Sequence, residues 1–260
     1  MDPDTPTVAR MYDYWLGGKD NFAADREMAE RATSFLPEIP RVARANRDFV
    51  VRAVRFLAER GVRQYIDLGT GLPTSPNVHE IAREVQPAAR TAYVDIDSMV
   101  VTHSRAMAAG AGDGIATVHA DLREPAAVLG DPAVQDVIDF SEPVAVLMIA
   151  VLHYLSHDDD VPALLGRYRD SLARGSYLAV SVGLDAGLDD RARRRAQALF
   201  GRTALPARSW TRPEVTDMLA CVEPVRPGIV AITDWRAAGP RLDVQVLGAV
   251  GAFRHEPAAT

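Results

Sequence analysis

Short apolar runs alternate with longer segments of helical periodicity along most of the chain. Five runs of five to eight residues are rich in apolar side chains and are predicted as strands: 63–67, 91–96, 115–120, 144–151 and 177–182. Elsewhere apolar residues recur three or four positions apart, which predicts helices at 38–60, 77–86, 98–109 and 158–173. Strands and helices that alternate in this way are typical of βαβ units, so we expect a parallel sheet with helices on both faces.

The last third of the chain predicts the closing part of the sheet. Two further helices are expected at 189–200 and 213–219, and extended runs at 229–233 and 242–250 can form a hairpin. The predicted fold class is α/β, a doubly wound and mostly parallel sheet of seven strands, with five in βαβ rhythm and a strand pair at one edge. We divide the chain into an N-terminal helical lid or extension, a main domain and a flexible tail: 1–37, 38–254 and 255–260.

Two serines are predicted to cap helices. Ser98 stands at the start of the helix expected at 98–109, and Ser156 precedes the acidic run at 158–160. A serine side chain accepts a hydrogen bond from the first turn of a helix, and acidic residues favour the same end. We therefore interpret His157 and the three aspartates after it as the opening of a helix, and we predict no metal site.

Composition argues against several classes of protein. Hydrophobic residues make up 48% and charged residues 25% of the chain, as in ordinary globular domains. The formal net charge of -6 provides no basic field for nucleic acid. No apolar stretch approaches the roughly 20 residues that span a bilayer, and the first residues lack a secretion signal, so we expect a cytoplasmic protein with no membrane partner. The single cysteine, Cys221, cannot form an intramolecular disulfide and is expected to pack in the interior.

A glycine-containing turn follows the first predicted strand in the sequence YIDLGTG at 65–71. Glycine at positions 69 and 71 lets backbone pass close to a ligand, where a Cβ atom would collide. A dinucleotide fingerprint needs another small residue at the start of the next helix, but the sequence LPT follows at 72–74. Because proline lacks an amide donor, this turn suits a ribose and an amino-acid portion better than a diphosphate. Asp67 is expected to order the turn and to reach the amino end of such a ligand.

Acidic residues also follow the second and third predicted strands. Asp95 can accept hydrogen bonds from both hydroxyls of a ribose, each contributing about 1.5–3 kcal/mol. Asp97, in contrast, is interpreted mainly as an opening residue of the next helix. Asp121 can accept from an adenine amino group with Leu122 against the base, although a helix cap explains Asp121 equally well when it is taken alone. The carboxyl ends of parallel strands meet at one edge, so Asp67, Asp95 and Asp121 are expected to converge.

These motifs resemble those of class I S-adenosylmethionine (SAM)-dependent methyltransferases. Segment 66–71 is similar to the first motif of that class, 94–97 to its acidic ribose loop, 120–122 to its adenine loop and 150–155 to its fourth motif. The resemblance implies SAM as the cofactor and methyl transfer to a small-molecule acceptor, without specifying the acceptor. It implies cofactor contacts from Asp67, Gly69, Gly71, Asp95, Ile96, Asp121 and Leu122.

A narrower resemblance links the chain to a poorly characterised family of actinomycete SAM-dependent methyltransferases. It rests on the sequence RMYDYWLGGKDNF at 10–22 and on GLPT at 71–74. Two features depart from the general class pattern. The acidic residue that usually opens strand four is absent, since SEP stands at 141–143, and the first turn lacks a third glycine. The motifs therefore leave open how the turn passes the methionine end of the cofactor.

Aromatic residues crowd the N-terminal segment around the glycine pair at 17–18. Aromatic rings can cover an adenosyl cofactor and attract its sulfonium, an interaction of about 0.5–2 kcal/mol. We therefore predict that this segment forms a lid and that Tyr14, Lys19 and Asn21 contact the cofactor. The alternative is a helix and turn that simply pack aromatic side chains on the sheet.

His153 follows the fourth predicted strand, near the expected place of the methyl acceptor. Its ordinary pKa of about 6.5 suits a general base, although a structural histidine in the pocket wall explains the position as well. Two other functions remain open from the residues alone. One is a nicotinamide-dependent oxidoreductase on a related sheet, and the other is a SAM-binding module without catalysis.

Overall fold

A doubly wound sheet forms the centre of the computed structural model, which describes residues 2–184, 189–201, 203, 210–240 and 242–255. Its strands are β1 (Gln64–Leu68), β2 (Arg90–Asp95), β3 (Ile115–His119), β4 (Ala145–Ile149), β5 (Tyr177–Gly183), β6 (Val222–Pro224), β7 (Val230–Ala231) and β8 (Val246–Phe253). The spatial order is β3-β2-β1-β4-β5-β8-β6, and β7 pairs with β8. Strands β1 to β5 are parallel, whereas β8 runs antiparallel to β5. The predicted α/β class and its five parallel strands are confirmed.

Helices cover both faces of this sheet. Those in the described residues are α1 (Val8–Leu16), α2 (Ala23–Phe35), α3 (Ile39–Glu59), α4 (Val78–Val85), α5 (Ser98–Gly110), α6 (Pro125–Leu129), α7 (Pro132–Val137), α8 (Val161–Asp170), α9 (Asp190–Phe200) and α10 (Arg212–Met218). The sequence pattern missed α6 and α7, because helices of five and six residues are too short to establish a period. Across these described helices, none combines the length and the apolar character needed to cross a membrane.

Two helix starts differ from the predictions. The N-cap of α5 is Asp97, whose side chain accepts from the backbone N–H of Met99, so the prediction that Ser98 is the cap was wrong. The interpretation of Asp97 as a helix-opening residue is confirmed. The helix expected at 158–173 begins only at Val161, with Asp160 as its N-cap, and ends at residue 170. Ser156 instead caps a separate 3-10 turn, because Asp160, with a left-handed φ of 36°, separates that turn from α8.

The C-terminal strands also differ from the expected pair at a sheet edge. β7 and β8 pair antiparallel, as predicted for the two extended runs, but β8 lies inside the sheet between β5 and β6. The edge is β6, a strand that the sequence pattern missed because it has three residues and contains Pro224. Proline is tolerated at an edge, where one face of the backbone has no partner strand. The predicted tail lies mostly outside the described residues, since 256–260 are not among them.

Side chains of the strands alternate between two apolar layers. Ile66 and Leu68 of β1 pack in one layer, and Tyr65 packs in the other, which α3 covers. Trp235 anchors that second layer, with its ring edge-on to Phe49 and Phe56 of α3 at centroid distances of 5.4 and 5.7 Å. Because α3 runs back along the sheet towards β1, its N-terminal half reaches the edge where the parallel strands end.

Candidate functional site

A cavity of about 560 Å³ opens where the parallel strands β1 to β4 end. It is lined by seven of the residues predicted as cofactor contacts: Asp67, Gly69, Gly71, Asp95, Ile96, Asp121 and Leu122. This convergence follows from the parallel order, which places every βα connection at the same edge of the sheet. Pockets for small ligands occupy roughly 300–1,000 Å³, so the volume suits a nucleoside-sized ligand and a small neighbour.

The two glycines of the first turn have different roles. Both have positive φ angles, +70° at Gly69 and +65° at Gly71, a conformation that side chains disfavour. A Cβ atom on Gly69 would lie 2.4 Å from Cγ2 of Val151, so glycine is required there by packing against the loop after β4. A Cβ atom on Gly71 would meet no protein atom within 4 Å. The expected close approach of a ligand therefore applies to Gly71, whereas at Gly69 the collision would be with protein.

Asp95 joins the end of β2 to the glycine turn. Its Oδ2 accepts the backbone N–H of Gly71 at 2.9 Å, and its Oδ1 accepts that of Asp97 at 2.9 Å. The side chain is buried, and burial raises the pKa of this carboxyl above its ordinary value. A carboxylate oxygen has two lone pairs, so each oxygen retains acceptor capacity towards the cavity. The residue is thus placed both to order the turn and to accept from a ligand.

Asp67 lies buried at the end of β1 beside the same turn. Its Oδ2 accepts the hydroxyl of Thr70 at 2.9 Å, as expected for a residue that orders the turn. Burial raises the pKa of Asp67 to about 6, although the Thr70 bond and the positive charge of Arg47 act in the opposite direction. This carboxyl therefore titrates in a range where most aspartates are already ionised.

Substituting Asp67 by asparagine is expected to change how stability depends on pH. A raised pKa in the folded state makes the contribution of Asp67 to stability complete below about pH 4 and lost as the pH rises through about 6. Since asparagine does not titrate, the free energy of unfolding of the wild type should fall relative to Asp67→Asn across that window. Urea unfolding at a series of pH values measures this difference. The exposed Asp136→Asn serves as the control, and wild-type and Asp67→Asn curves that run parallel would contradict the assignment.

Asp121 is held by an arginine in its own loop. Its carboxylate accepts from Nε of Arg123 at 2.9 Å and from the backbone N–H of the same residue at 2.9 Å. The alternative that Asp121 caps a helix is not what the structure shows, because the N-cap of α6 is Glu124. Ile96, a large apolar residue that is 43% exposed, and Leu122 supply apolar surface to the same cavity.

The N-terminal segment contributes different residues from those predicted. Arg10, Tyr12 and Asp13 of α1 line the cavity, whereas Tyr14, Lys19 and Asn21 do not. Positions 12 and 14 are about 200° apart around a helix, so they face opposite sides. The Tyr14 hydroxyl donates to Glu30 at 2.9 Å on the exposed side of α2, and Lys19 is exposed. The structure therefore does not bring Tyr14 and Lys19 to the cavity with the other predicted contacts.

Asn21 orders the turn after α1. Its Nδ2 donates to Oδ2 of Asp13 at 2.7 Å and to the carbonyl of Gly18 at 3.1 Å. The backbone N–H of Asp20 donates to the same Asp13 oxygen at 3.0 Å. Asn21 therefore makes its hydrogen bonds within the protein and does not line the cavity.

His153 lies beside the cavity but not in its wall. The 3-10 turn Leu152–Tyr154 brings Tyr154 into the lining, while the neighbouring imidazole packs against that ring at a centroid distance of 4.3 Å. Its Nδ1 atom is buried and has no hydrogen-bond partner in the described part of the chain. Burial lowers the pKa of His153 to about 4, so the ring is neutral at physiological pH. A general base must come within hydrogen-bond distance of its substrate, and the position of His153 does not support that prediction.

A buried hydrogen-bond chain, which the sequence pattern did not predict, joins α1, α3, β5 and the loop after β4 beside the cavity. The Tyr12 hydroxyl accepts from Nδ2 of Asn46 at 3.1 Å, and Oδ1 of Asn46 accepts from the Ser181 hydroxyl at 2.7 Å. Oγ of Ser181 in turn accepts the backbone N–H of Ala150 at 2.9 Å. Ala150 has a φ of 53°, a left-handed conformation that is uncommon outside glycine. Strained backbone of this kind is concentrated at functional sites. The sequence does not indicate it, because alanine rarely adopts a positive φ angle.

The protein is a class I SAM-dependent methyltransferase. This class is consistent with three features of the site: carboxylates at successive strand ends, a glycine turn after β1 and a cavity at the edge of a doubly wound sheet. The chain belongs to the S-adenosyl methyltransferase family, whose sequence profile matches residues 1–253. The predicted resemblance is thereby confirmed, with SAM as the cofactor, and the nicotinamide-dependent alternative is set aside.

Two solved structures are similar to the chain along nearly its whole length. A candidate methyltransferase from Thermobifida fusca YX is 40% identical with a TM-score of 0.89, over 97% of this chain and 96% of that one. A DUF574 family protein from Streptomyces avermitilis MA-4680 is 38% identical with a TM-score of 0.92, over 97% and 99%. Among curated proteins, no relative matches the chain.

A more distant similarity extends to an enzyme of known activity. The 1,6-didemethyltoxoflavin-N1-methyltransferase of Burkholderia thailandensis was solved with 1,6-didemethyltoxoflavin and S-adenosylhomocysteine bound. It is 17% identical, with a TM-score of 0.51 over 79% of each chain. At that level of identity the similarity concerns the fold.

Proposed function

We propose that the three aspartates of the cavity hold the adenosyl part of SAM and that the opposite wall holds a small-molecule methyl acceptor. The single observation that carries this proposal is the arrival of Asp67, Asp95 and Asp121 on one cavity from three separate strand ends. In this arrangement Asp95 accepts from the ribose and Asp121 from the adenine amino group, while Ile96 and Leu122 lie against the base. The N-terminal helix α1 acts as the lid, through its cavity-lining face.

The chemistry of the cavity residues suits SAM. Asp95 has unused acceptor capacity on both oxygens, and the space beside Gly71 is free of protein atoms. When bound, SAM supplies an electrophilic methyl group attached to a sulfonium, and acidic side chains favour such a cation. Binding in a cavity bordered by apolar surface also excludes water from the reacting atoms.

Neutral side chains form the part of the cavity wall that we assign to the methyl acceptor. Tyr12, Asn46, Ala150, Val151 and Tyr154 line it, and burial raises the pKa of both tyrosines, which keeps them as neutral phenols. An acceptor that shares about 560 Å³ with a cofactor must be small, and the net charge of -6 disfavours nucleic acid. We infer a small molecule whose nucleophilic atom attacks the methyl carbon of SAM. The bond from that carbon to sulfur breaks as the new bond forms, and S-adenosylhomocysteine is the leaving group. Alignment of the reacting atoms is the principal contribution of the protein.

Asp95→Ala is expected to weaken SAM binding by about 30- to 150-fold, or ~2–3 kcal/mol, because two charge-assisted hydrogen bonds to ribose are lost. Isothermal titration of the purified variant with SAM and with S-adenosylhomocysteine measures the change. Asp136→Ala, on the exposed face of α7, is the matched control and should bind as the wild type does. SAM affinity that is unchanged in Asp95→Ala would show that the ribose lies elsewhere.

Transfer itself is tested with SAM that carries a labelled methyl group. The enzyme is incubated with a cell extract separated by ultrafiltration into a small-molecule and a macromolecular fraction. We expect label to pass only to the small-molecule fraction. Label in protein or nucleic acid would contradict the acceptor class, and binding of SAM without transfer to either fraction would favour the non-catalytic alternative.

A further inference from the structure

Three arginines line the cavity, and they differ in how their charges are compensated. Nε of Arg10 lies 2.8 Å from a carboxylate oxygen of Asp25, and the Arg123 guanidinium lies 2.5 Å from one of Asp121. Arg47 has no carboxylate within ion-pair distance among the residues that the structure describes. A guanidinium in a cavity wall that makes no ion pair with a protein carboxylate is placed to receive an anionic group of a ligand.

The position of the Arg47 guanidinium is fixed by the loop that follows the glycine turn. Its Nη2 donates to the carbonyl of Thr74 at 2.9 Å and to that of Pro76 at 2.8 Å. Among the described residues, no acceptor lies within hydrogen-bond distance of Nε or Nη1 of Arg47, and both atoms are accessible to solvent. The side chain is thus held by one nitrogen, while the other nitrogens are available as donors.

Arg47 stands at the end of the cavity opposite to the adenine-binding loop. It interacts electrostatically with Asp67 at the end of β1, and it reaches the loop that continues from Gly71. Asp121 and Leu122, in contrast, follow β3, which is two strands away from β1 in the sheet. The β1 end of the cavity therefore offers one carboxylate and one guanidinium that interact electrostatically without forming an ion pair.

We propose that Arg47 binds the carboxylate of the methionine portion of SAM, while Asp67 faces its ammonium group. This inference rests on the proposed function, which places the cofactor in the cavity. The amino-acid end of SAM is a zwitterion, so it needs both an acceptor and a cation, and each buried charge without a partner would oppose binding. Arg47 supplies the cation that the aspartates of the cavity cannot.

The test compares three ligands that share the adenosyl group. S-adenosylhomocysteine has both the ammonium and the carboxylate, S-adenosyl-3-thiopropylamine lacks only the carboxylate, and 5′-methylthioadenosine lacks both. Isothermal titration gives the affinity of each for the wild type and for Arg47→Gln. We expect Arg47→Gln to weaken S-adenosylhomocysteine by about 10- to 100-fold, the loss of one charge-assisted contact, and to leave the other two ligands within about threefold.

The ligand series separates a direct contact from a structural role. If Arg47 only tethers the loop at 74–76, all three ligands weaken together in Arg47→Gln, and the proposal is overturned. Unchanged binding of S-adenosylhomocysteine overturns it as well. Arg55→Gln removes a charge from the same helix, where the side chain pairs with Glu84 on the surface, and should leave all three affinities unchanged. A wild-type protein that binds none of the three ligands would overturn the proposed function itself, and this inference with it.

Discussion

Asp25→Ala is expected to lower the free energy of unfolding by about 3–5 kcal/mol, because it leaves Arg10 as a buried charge without a partner. The side chains of Arg10 and Asp25 are only 3% and 0% exposed, and their charged groups are 2.8 Å apart. The Asp25 carboxylate also accepts the backbone N–H groups of Thr7 and Phe22 at 3.0 and 2.8 Å, so the variant loses two further bonds at the ends of α1 and α2. Urea unfolding at neutral pH measures the loss.

Two controls identify burial as the cause of this loss. The double variant Arg10→Met with Asp25→Leu removes both charges and should recover most of the stability, since apolar replacements of buried ion pairs are often neutral or stabilising. Glu27→Ala breaks the exposed pair between Glu27 and Arg31 and should change stability by less than about 1 kcal/mol. Equal effects of Asp25→Ala and Glu27→Ala would show that the buried pair has no special role.

Gly69→Ala is expected to destabilise the protein by about 2–5 kcal/mol. The backbone conformation at φ +70° costs roughly 1–2 kcal/mol for a residue with a side chain. The new methyl group would also lie 2.4 Å from Cγ2 of Val151, and overpacking of this kind costs about 1–3 kcal/mol. Thermal and urea unfolding measure the total, and SAM titration shows whether the displaced turn also loses the cofactor.

The chain provides a matched control for this steric argument. Gly71 has a similar φ of +65° but no protein atom within 4 Å of the position of its Cβ, so Gly71→Ala should show the backbone cost alone in the ligand-free protein. Val151→Ala introduced into Gly69→Ala should recover the stability that the steric collision costs, while the backbone cost remains. If Gly69→Ala and Gly71→Ala lower the free energy of unfolding equally, the collision with Val151 makes no contribution to the loss of stability.

The parallel sheet and the acidic wall of the cavity were predictable because both depend on local sequence patterns. Apolar runs of five or more residues ending in an acidic residue identify buried parallel strands, and the end of each strand fixes where that residue lies. Asp67, Asp95 and Asp121 therefore followed from position alone. In contrast, β6 and the two shortest helices have too few residues to produce a period, and they were missed.

Residues that depend on tertiary packing could not be predicted in the same way. Tyr14 was chosen because it is aromatic and close to the glycine pair, but the register of α1 turns Tyr12 and not Tyr14 towards the cavity. Arg47 belongs to a long amphipathic helix in which several arginines look alike in sequence. Its place in the cavity wall and its lack of an ion pair in the described structure distinguish Arg47 from the paired Arg41 and Arg55 on the same helix.

The hydrogen-bond chain from Tyr12 through Asn46 and Ser181 to Ala150 bears on how long a ligand stays in the cavity. Lifting α1 away from α3 would break the bonds of the Tyr12 hydroxyl to Asn46 and to the carbonyl of Ala43. In the proposed complex, release of a ligand past α1 would require these two bonds of Tyr12 to open, so the contact of α1 with Ala43 and Asn46 of α3 controls this route.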